Sequence, residues 1–299
     1  MEYNEYKNAL LWAAETLNER MGTEFSEDNL VLRCFQTENQ QEVFEQFCKQ
    51  YFPDRLTDQY KEDGYFDFHA SAFVGEGENS VDGILLRTDV ERSPAMLYHI
   101  LLHELAHIFC THNELGGDNF YKRYCMDDTL SSEEDGAINA GYAIWRELIA
   151  ELIASEKDDN CAFLSLEDKE DILRYYMKEL EDGDRKLAVS MLLCEALTSR
   201  EGEPAATWGD TKKKFEKYAP FDEPLFIDLL ELVVRKLKKN FVEIDRDFIL
   251  ELGSLYLFLV TQLDVKKLQK KTFRRTLTTT GRERTGTIFV GIRKRRHRR

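Results

Sequence analysis

Apolar residues recur at three- and four-residue spacing over much of this chain, the pattern of amphipathic helices. Residues 2–20 carry Leu10, Leu11, Ala14 and Leu17 at that spacing, and Gly22 marks a stop. Residues 39–51 repeat it with Val43, Phe44, Phe47 and Tyr51, closed by Pro53. Three stretches read as strands instead. Val31–Phe35 is short and apolar, Tyr65–Val74 is aromatic-rich, and Ile84–Thr88 follows it across a Gly75–Asn79 turn. The last two form an expected hairpin. Two unusual helices come next. Ser93-Pro94 pairs an N-cap with proline at the first helical position, and Ala95–Phe109 is apolar on most faces. Gly116-Gly117 breaks the chain, and Ser131-Ser132-Glu133-Glu134 is a capping box opening a helix to about Ser155. Between Ala137 and Ala154 that helix is apolar apart from Asn139, Arg146, Glu147 and Glu151. Further helices are expected over about 166–181, 184–199, 223–239 and 245–263, with a looser Gly- and Pro-containing connection at 200–222.

The pattern predicts an α+β fold, mostly helical, with a small antiparallel sheet and an all-α C-terminal extension. Hydrophobic residues make up 42% of the 299, enough for a sizeable core. The formal net charge is -15, unevenly spread. From Lys266 onward there are 14 Lys/Arg against one acid, Glu283, so the remainder carries -15 - 13 = -28. So acidic a body is a poor non-specific binder of nucleic acid, which leaves only the basic tail for such contact. Three regions are expected: 1–160 as the chemical core, 161–265 as a helical region, and 266–299 as a basic tail, either a disordered arm or an extension foreign to the body. None of the six cysteines forms Cys-x-x-Cys. The first residues lack a signal-peptide pattern, and no uncharged apolar run approaches the ~20 residues of a membrane span. A cytoplasmic protein with reduced thiols is expected.

The chemistry sits in Leu101-Leu102-His103-Glu104-Leu105-Ala106-His107-Ile108-Phe109. His-Glu-x-x-His on a helix places two imidazoles one turn apart on one face, able to hold one Zn2+ ion, with Glu104 beside them as general base. Two histidines and a glutamate in so apolar a helix need partners, and a metal supplies one. A catalytic zinc takes three protein ligands. The metzincin pattern needs Gly at 110 and His at 113, where this chain has Cys110 and Asn113. His112 falls one residue short of that register, past the expected helix end. Glu147 and Glu151 remain, four apart on one face of the second apolar helix, where mutual repulsion calls for a cation. Their order fits a downstream Glu-x-x-x-Glu in which Glu147 binds metal and Glu151 orients a ligand histidine, with the reverse assignment still open. His99, one turn before His103, reads as cleft wall or core. Tyr121, Tyr124, Tyr142 and His112 are candidates to stabilise an oxyanion.

These residues resemble the zincin-like metallopeptidases of the bacterial ImmA/IrrE type over roughly residues 64–155. The resemblance implies a zincin-like core built from the small sheet, an active-site helix and a third-ligand helix. It implies zinc at His103 and His107, Glu104 as catalytic acid/base, a downstream acid as third ligand, and a protein substrate such as a transcriptional repressor. No helix-turn-helix reader is present, and the helical C-terminal half lies outside the resemblance. The competing expectation is a non-catalytic zincin-like protein that binds a peptide strand as regulator or scaffold. The edge of the hairpin is where such a strand would pair.

Overall fold

The computed structural model describes residues 2–77, 80–113, 120–155, 175–176, 178–180, 183–198, 224–239 and 244–280. The tip of the expected 75–79 turn, the Gly116-Gly117 break, most of the expected 166–181 helix, the 200–222 connection and residues 281–299 lie outside the described residues. The described chain is mostly helical with one small sheet. It divides into two compact units, Met1–Phe258 and Leu259–Arg299.

Helix α1 (Tyr3–Met21) opens on a Glu2/Glu5 capping box and ends at Gly22, whose φ of +67° and N–H to Asn18 O close the last turn. It buries Leu10, Ala13, Ala14 and Leu17. Strand β1 (Leu30–Phe35) leads into α2 (Gln40–Tyr51), and the hairpin follows as β2 (Ala70–Phe73) and β3 (Asp82–Arg87). Strand order is β1-β3-β2. The hairpin is antiparallel as expected, Ala70 opposite Leu86 and Phe73 opposite Gly83. The sheet as a whole is not: β1 runs parallel to β3, Leu30 opposite Asp82 and Phe35 opposite Arg87. The chain between β1 and β3 contains α2, a crossover long enough to bring it back in the same direction.

One face of the sheet carries an aromatic core of Phe35, Phe44, Phe47, Phe52, Phe66 and Phe73 around Leu85. A Cβ at Gly83 would fall 2.6 Å from the Phe47 ring and 2.9 Å from that of Phe52, so the missing side chain admits both rings. Phe66 and Phe68 join this cluster, which is why β2 starts at Ala70 and not at the expected Tyr65. Helix α3 (Pro94–His112) packs along β2 and against α1, where Trp12 and Tyr98 rings lie 4.2 Å apart. Ser93 caps it, accepting from Met96 N. After a π-helical turn at Tyr121–Cys125, α4 (Ser132–Ala154) starts on the expected capping box, Ser131 Oγ accepting from Glu134 N and the Glu134 carboxylate accepting from Ser131 N.

The remaining helices are α5 (Arg185–Thr198), α6 (Pro224–Lys239) and α7 (Arg246–Thr280). α5, α6 and the start of α7 belong to the same compact unit as α1 to α4. α5 and the start of α7 do so by covering apolar faces of α4. Ser190 Oγ on α5 donates to the Ile144 carbonyl at 3.1 Å, and Trp145 meets Phe248 edge-on at 4.9 Å. α4 and α7 touch backbone to backbone through Gly141 and Gly253. Over Arg246–Lys267, α7 is long and apolar enough to cross a membrane by length and composition, although Phe248, Ile249 and Leu252 are core residues of the first unit. The second unit is described as helix as far as Thr280, which includes the first residues of the basic stretch from Lys266.

Candidate metal centre

α3 buries Leu97, Leu101, Leu102, Leu105, Ala106 and Ile108, leaving His99, His103, Glu104 and His107 on the side that lines a cleft. The cleft has a volume of about 850 Å³. Its other walls are β2 and the adjoining His69 and Val74, the acidic face of α4, and Leu187 and Met191 of α5. α4 buries Ile144, Trp145, Leu148, Ile149 and Ala150, so Glu147 and Glu151, one turn apart, both turn toward α3.

The two helices bring three ligand-capable groups together. Glu147 Oε2 lies 3.3 Å from His103 Nε2 and 3.3 Å from His107 Nε2. The donor atoms of His103, His107 and Glu147 all fall within 4.8 Å of one another. The two rings stand at 85° with centroids 4.6 Å apart, so both nitrogens converge without stacking. Zinc bonds of about 2.1 Å at the tetrahedral angle separate neighbouring donors by about 3.4 Å, close to both nitrogen–oxygen separations here, so the donor set is of a kind that fits such an ion.

Glu151 is placed differently. Its Oε2 lies 2.8 Å from His103 Nδ1 and its Oε1 2.8 Å from His99 Nε2, with Ser155 Oγ donating to Oε1 at 3.2 Å. It therefore touches the far side of the His103 ring, while Glu147 faces the converging nitrogens, the order expected for an orienting acid and a ligand. Arg146 sits 3.5 Å from Glu147 Oε1 on a half-exposed side chain, a contact too long and too wet to neutralise the acid.

The electrostatics follow from these contacts. Burial alone would lower the pKa of His103, but hydrogen bonds to Glu147 and Glu151 and their charges outweigh it and raise the pKa well above its usual value. Burial alone would raise Glu147, but the charge of His107 and hydrogen bonds from both histidines hold it well below the carboxylate range. Glu151 is held low in the same way, against burial, by His99 and His103.

Glu104 lines the cleft beside the histidines, and its carboxylate makes no hydrogen bond or ion pair among the described residues. Cys110 is buried in the core, and Asn113 caps α3 by donating to the Phe109 carbonyl at 2.9 Å, in keeping with the exclusion of a metzincin arrangement. His112 is the last residue of α3, not a loop residue, and its Nε2 lies 3.0 Å from Asp82. It fastens the helix end to the start of β3 and does not line the cleft. Nor do Tyr121, Tyr124 and Tyr142, which pack with Phe120 in an aromatic group against the first half of α4. The tyrosines that do line the cleft are Tyr65, Tyr175 and Tyr176. The last two were visible only as a Tyr-Tyr pair inside an expected helix, with nothing local to assign them to the site.

No protein-family model, curated protein or solved structure matches this chain.

Proposed function

We propose that this protein is a cytoplasmic zinc-dependent endopeptidase of the zincin type, hydrolysing peptide bonds in a protein partner. The resemblance to the ImmA/IrrE metallopeptidases names a transcriptional repressor as the kind of partner. The observation that carries the reading is the convergence of His103 Nε2, His107 Nε2 and Glu147 Oε2, with Glu104 on the cleft side of the same helix. A zinc ion held there supplies an acidified water and a Lewis acid for a carbonyl. Glu104 would take the proton of the attacking water and pass it to the leaving amine. Glu151 would keep His103 in the Nδ1–H tautomer, leaving the Nε2 lone pair for the metal.

β2 supports an extended peptide as the substrate class. It is the edge strand on the cleft side. Arg87 N donates to His69 O, which makes that pair hydrogen-bonded and, by alternation, turns the backbone N–H and C=O of Ala70 and Ala72 to the open edge. An extended peptide can add there as a further strand and lie along the cleft.

The test is metal content together with cleavage. Elemental analysis of wild type should give one zinc per chain, lost in His103→Ala and Glu147→Ala. Glu104→Gln should keep its zinc and lose about 10²–10⁴-fold in hydrolysis of a casein or fluorogenic peptide substrate. Zinc bound with no cleavage by wild type would leave a peptide-binding scaffold, and cleavage retained in Glu104→Gln would end the peptidase reading. No zinc in wild type would remove the peptidase reading and leave only a metal-free scaffold.

A further inference from the structure

Glu151 is held by two histidines of α3. His103 Nδ1 meets one carboxylate oxygen and His99 Nε2 the other, each at 2.8 Å. An ionised carboxylate only accepts, so each ring must present a proton at the nitrogen facing it. The remaining bond, from Ser155 Oγ, comes from the end of Glu151's own helix. It travels with Glu151 and cannot fix it relative to α3. The two histidine bonds can, because His99 and His103 are four residues apart on one rigid helix and grip the carboxylate at both ends. Losing the His99 bond would leave the buried carboxylate of Glu151 attached to α3 at one point, free to turn about its last torsion and release His103 from its tautomer and tilt.

We propose that His99 is a positioning residue of the metal centre: it acts through Glu151 to hold the His103 ring in the orientation that binds metal. The proposal rests on the zinc reading above. His99 is not a ligand, because its Nε2 is engaged by Glu151 and no ligand set includes it. It bonds through Nε2, so glutamine, whose amide nitrogen falls near that position, is the conservative replacement, while phenylalanine keeps the ring and removes the donor.

The experiment compares wild type, His99→Phe, His99→Gln and Glu151→Ala as full chains. Zinc affinity is measured by competition with a chelating dye, the thermal midpoint of each metal-free protein is recorded, and long-range 1H–15N spectra of the zinc-bound proteins report which His103 nitrogen keeps its proton. His99→Phe should weaken zinc binding about 10- to 100-fold, as loss of an orienting partner does, and split zinc-bound His103 between coordination through Nε2 and through Nδ1. Its metal-free midpoint should stay within a few degrees of wild type, and His99→Gln should recover most of the affinity. A His99→Phe protein that binds zinc within twofold of wild type, while Glu151→Ala does not, overturns the proposal and leaves the zinc reading intact. Wild type that binds no zinc overturns both.

Discussion

Gly141 and Gly253 give a test in which packing and helix propensity predict opposite signs. A Cβ at Gly253 would fall 1.7 Å from the Ala137 carbonyl oxygen and 2.9 Å from Gly141 N, and one at Gly141 would fall 2.1 Å from the Ile249 carbonyl oxygen. These are backbone atoms, so no rotamer change relieves the overlap. A carbon–oxygen contact needs about 3.3 Å, which requires α4 and α7 to part by more than an ångström. Overpacking of this kind costs roughly 1–3 kcal/mol or more. Alanine in a helix interior gains about 1 kcal/mol over glycine, so the net change for Gly253→Ala is a loss of up to about 2 kcal/mol. Gly136, on the same helix α4, has no atom within 4 Å of its would-be Cβ, so Gly136→Ala should gain about 0.5–1 kcal/mol. For a domain of this size each kcal/mol moves the midpoint roughly 2–4 °C. Calorimetry of the metal-free protein should therefore show Gly253→Ala and Gly141→Ala melting several degrees lower and Gly136→Ala slightly higher. Gly141 lies six residues before Glu147 on α4, so its substitution should also weaken zinc binding. If all three alanines raise the midpoint together, the close crossing of α4 and α7 is wrong.

Metal-free protein should have a stability window set by the site. His103, raised above 6.5 by its carboxylates, contributes stability present below pH 6.5 and lost as pH rises through its folded value, while the depressed Glu147 and Glu151 contribute stability present above about 4.5 and lost on acidification. Urea midpoints should thus fall on both sides of pH 4.5–6.5 without zinc, and the alkaline fall should vanish with zinc bound; a flat profile without zinc counts against this network. Burial pushes the Cys110 thiol up to about 12 and those of Cys34, Cys48 and Cys125 to about 11, so iodoacetamide at pH 8 should leave all four unmodified in the native protein by mass spectrometry. Rapid labelling of any of them would contradict their packing. A chain ended at residue 160 should be insoluble or molten by near-UV circular dichroism, and a cooperatively folded, zinc-binding product would show that the later helices are dispensable.

What the sequence revealed was local. The caps at Ser93 and Ser131, the HExxH spacing and the Glu147/Glu151 pair all lie within single helices, and the structure places ligand atoms of His103, His107 and Glu147 within 4.8 Å of one another. What it concealed was pairing between distant segments. The parallel register of β1 depends on a partner fifty residues away, which no alternation in Leu30–Phe35 encodes. His99 stood in line with His103, but its partner lies on α4, and without that carboxylate it read as cleft wall. His112 looked like a loop residue because Asn113 and the glycines beyond suggested an earlier helix end, whereas its bond to Asp82 extends α3 to include it. The end of α7 was placed near residue 263 because the apolar pattern fades there, yet Lys, Leu, Gln and Arg are all strong helix formers, and the helix runs on to Thr280.

The apolar character of α4 acquires a cause from this arrangement. A helix facing only α3 would need one apolar stripe, with polar residues elsewhere. α4 instead buries Ile144, Trp145, Leu148 and Ile149 on one side and Ala140, Ala150 and Ala154 on the other, because α3, α5 and α7 each take a side. Four large side chains at roughly 1.5–3 kcal/mol each amount to about 6–12 kcal/mol, comparable to the whole stability of a domain. The rotation of α4 about its own axis is therefore set largely by helices that carry no part of the motif. That rotation decides whether Glu147 points at the two histidine nitrogens, since a turn of one residue, about 100°, would carry it out of the cleft. The C-terminal helices thus act on the chemistry without touching it: Ser190 and Gly253 lock the helix whose remaining face carries the third ligand and the acid that orients His103.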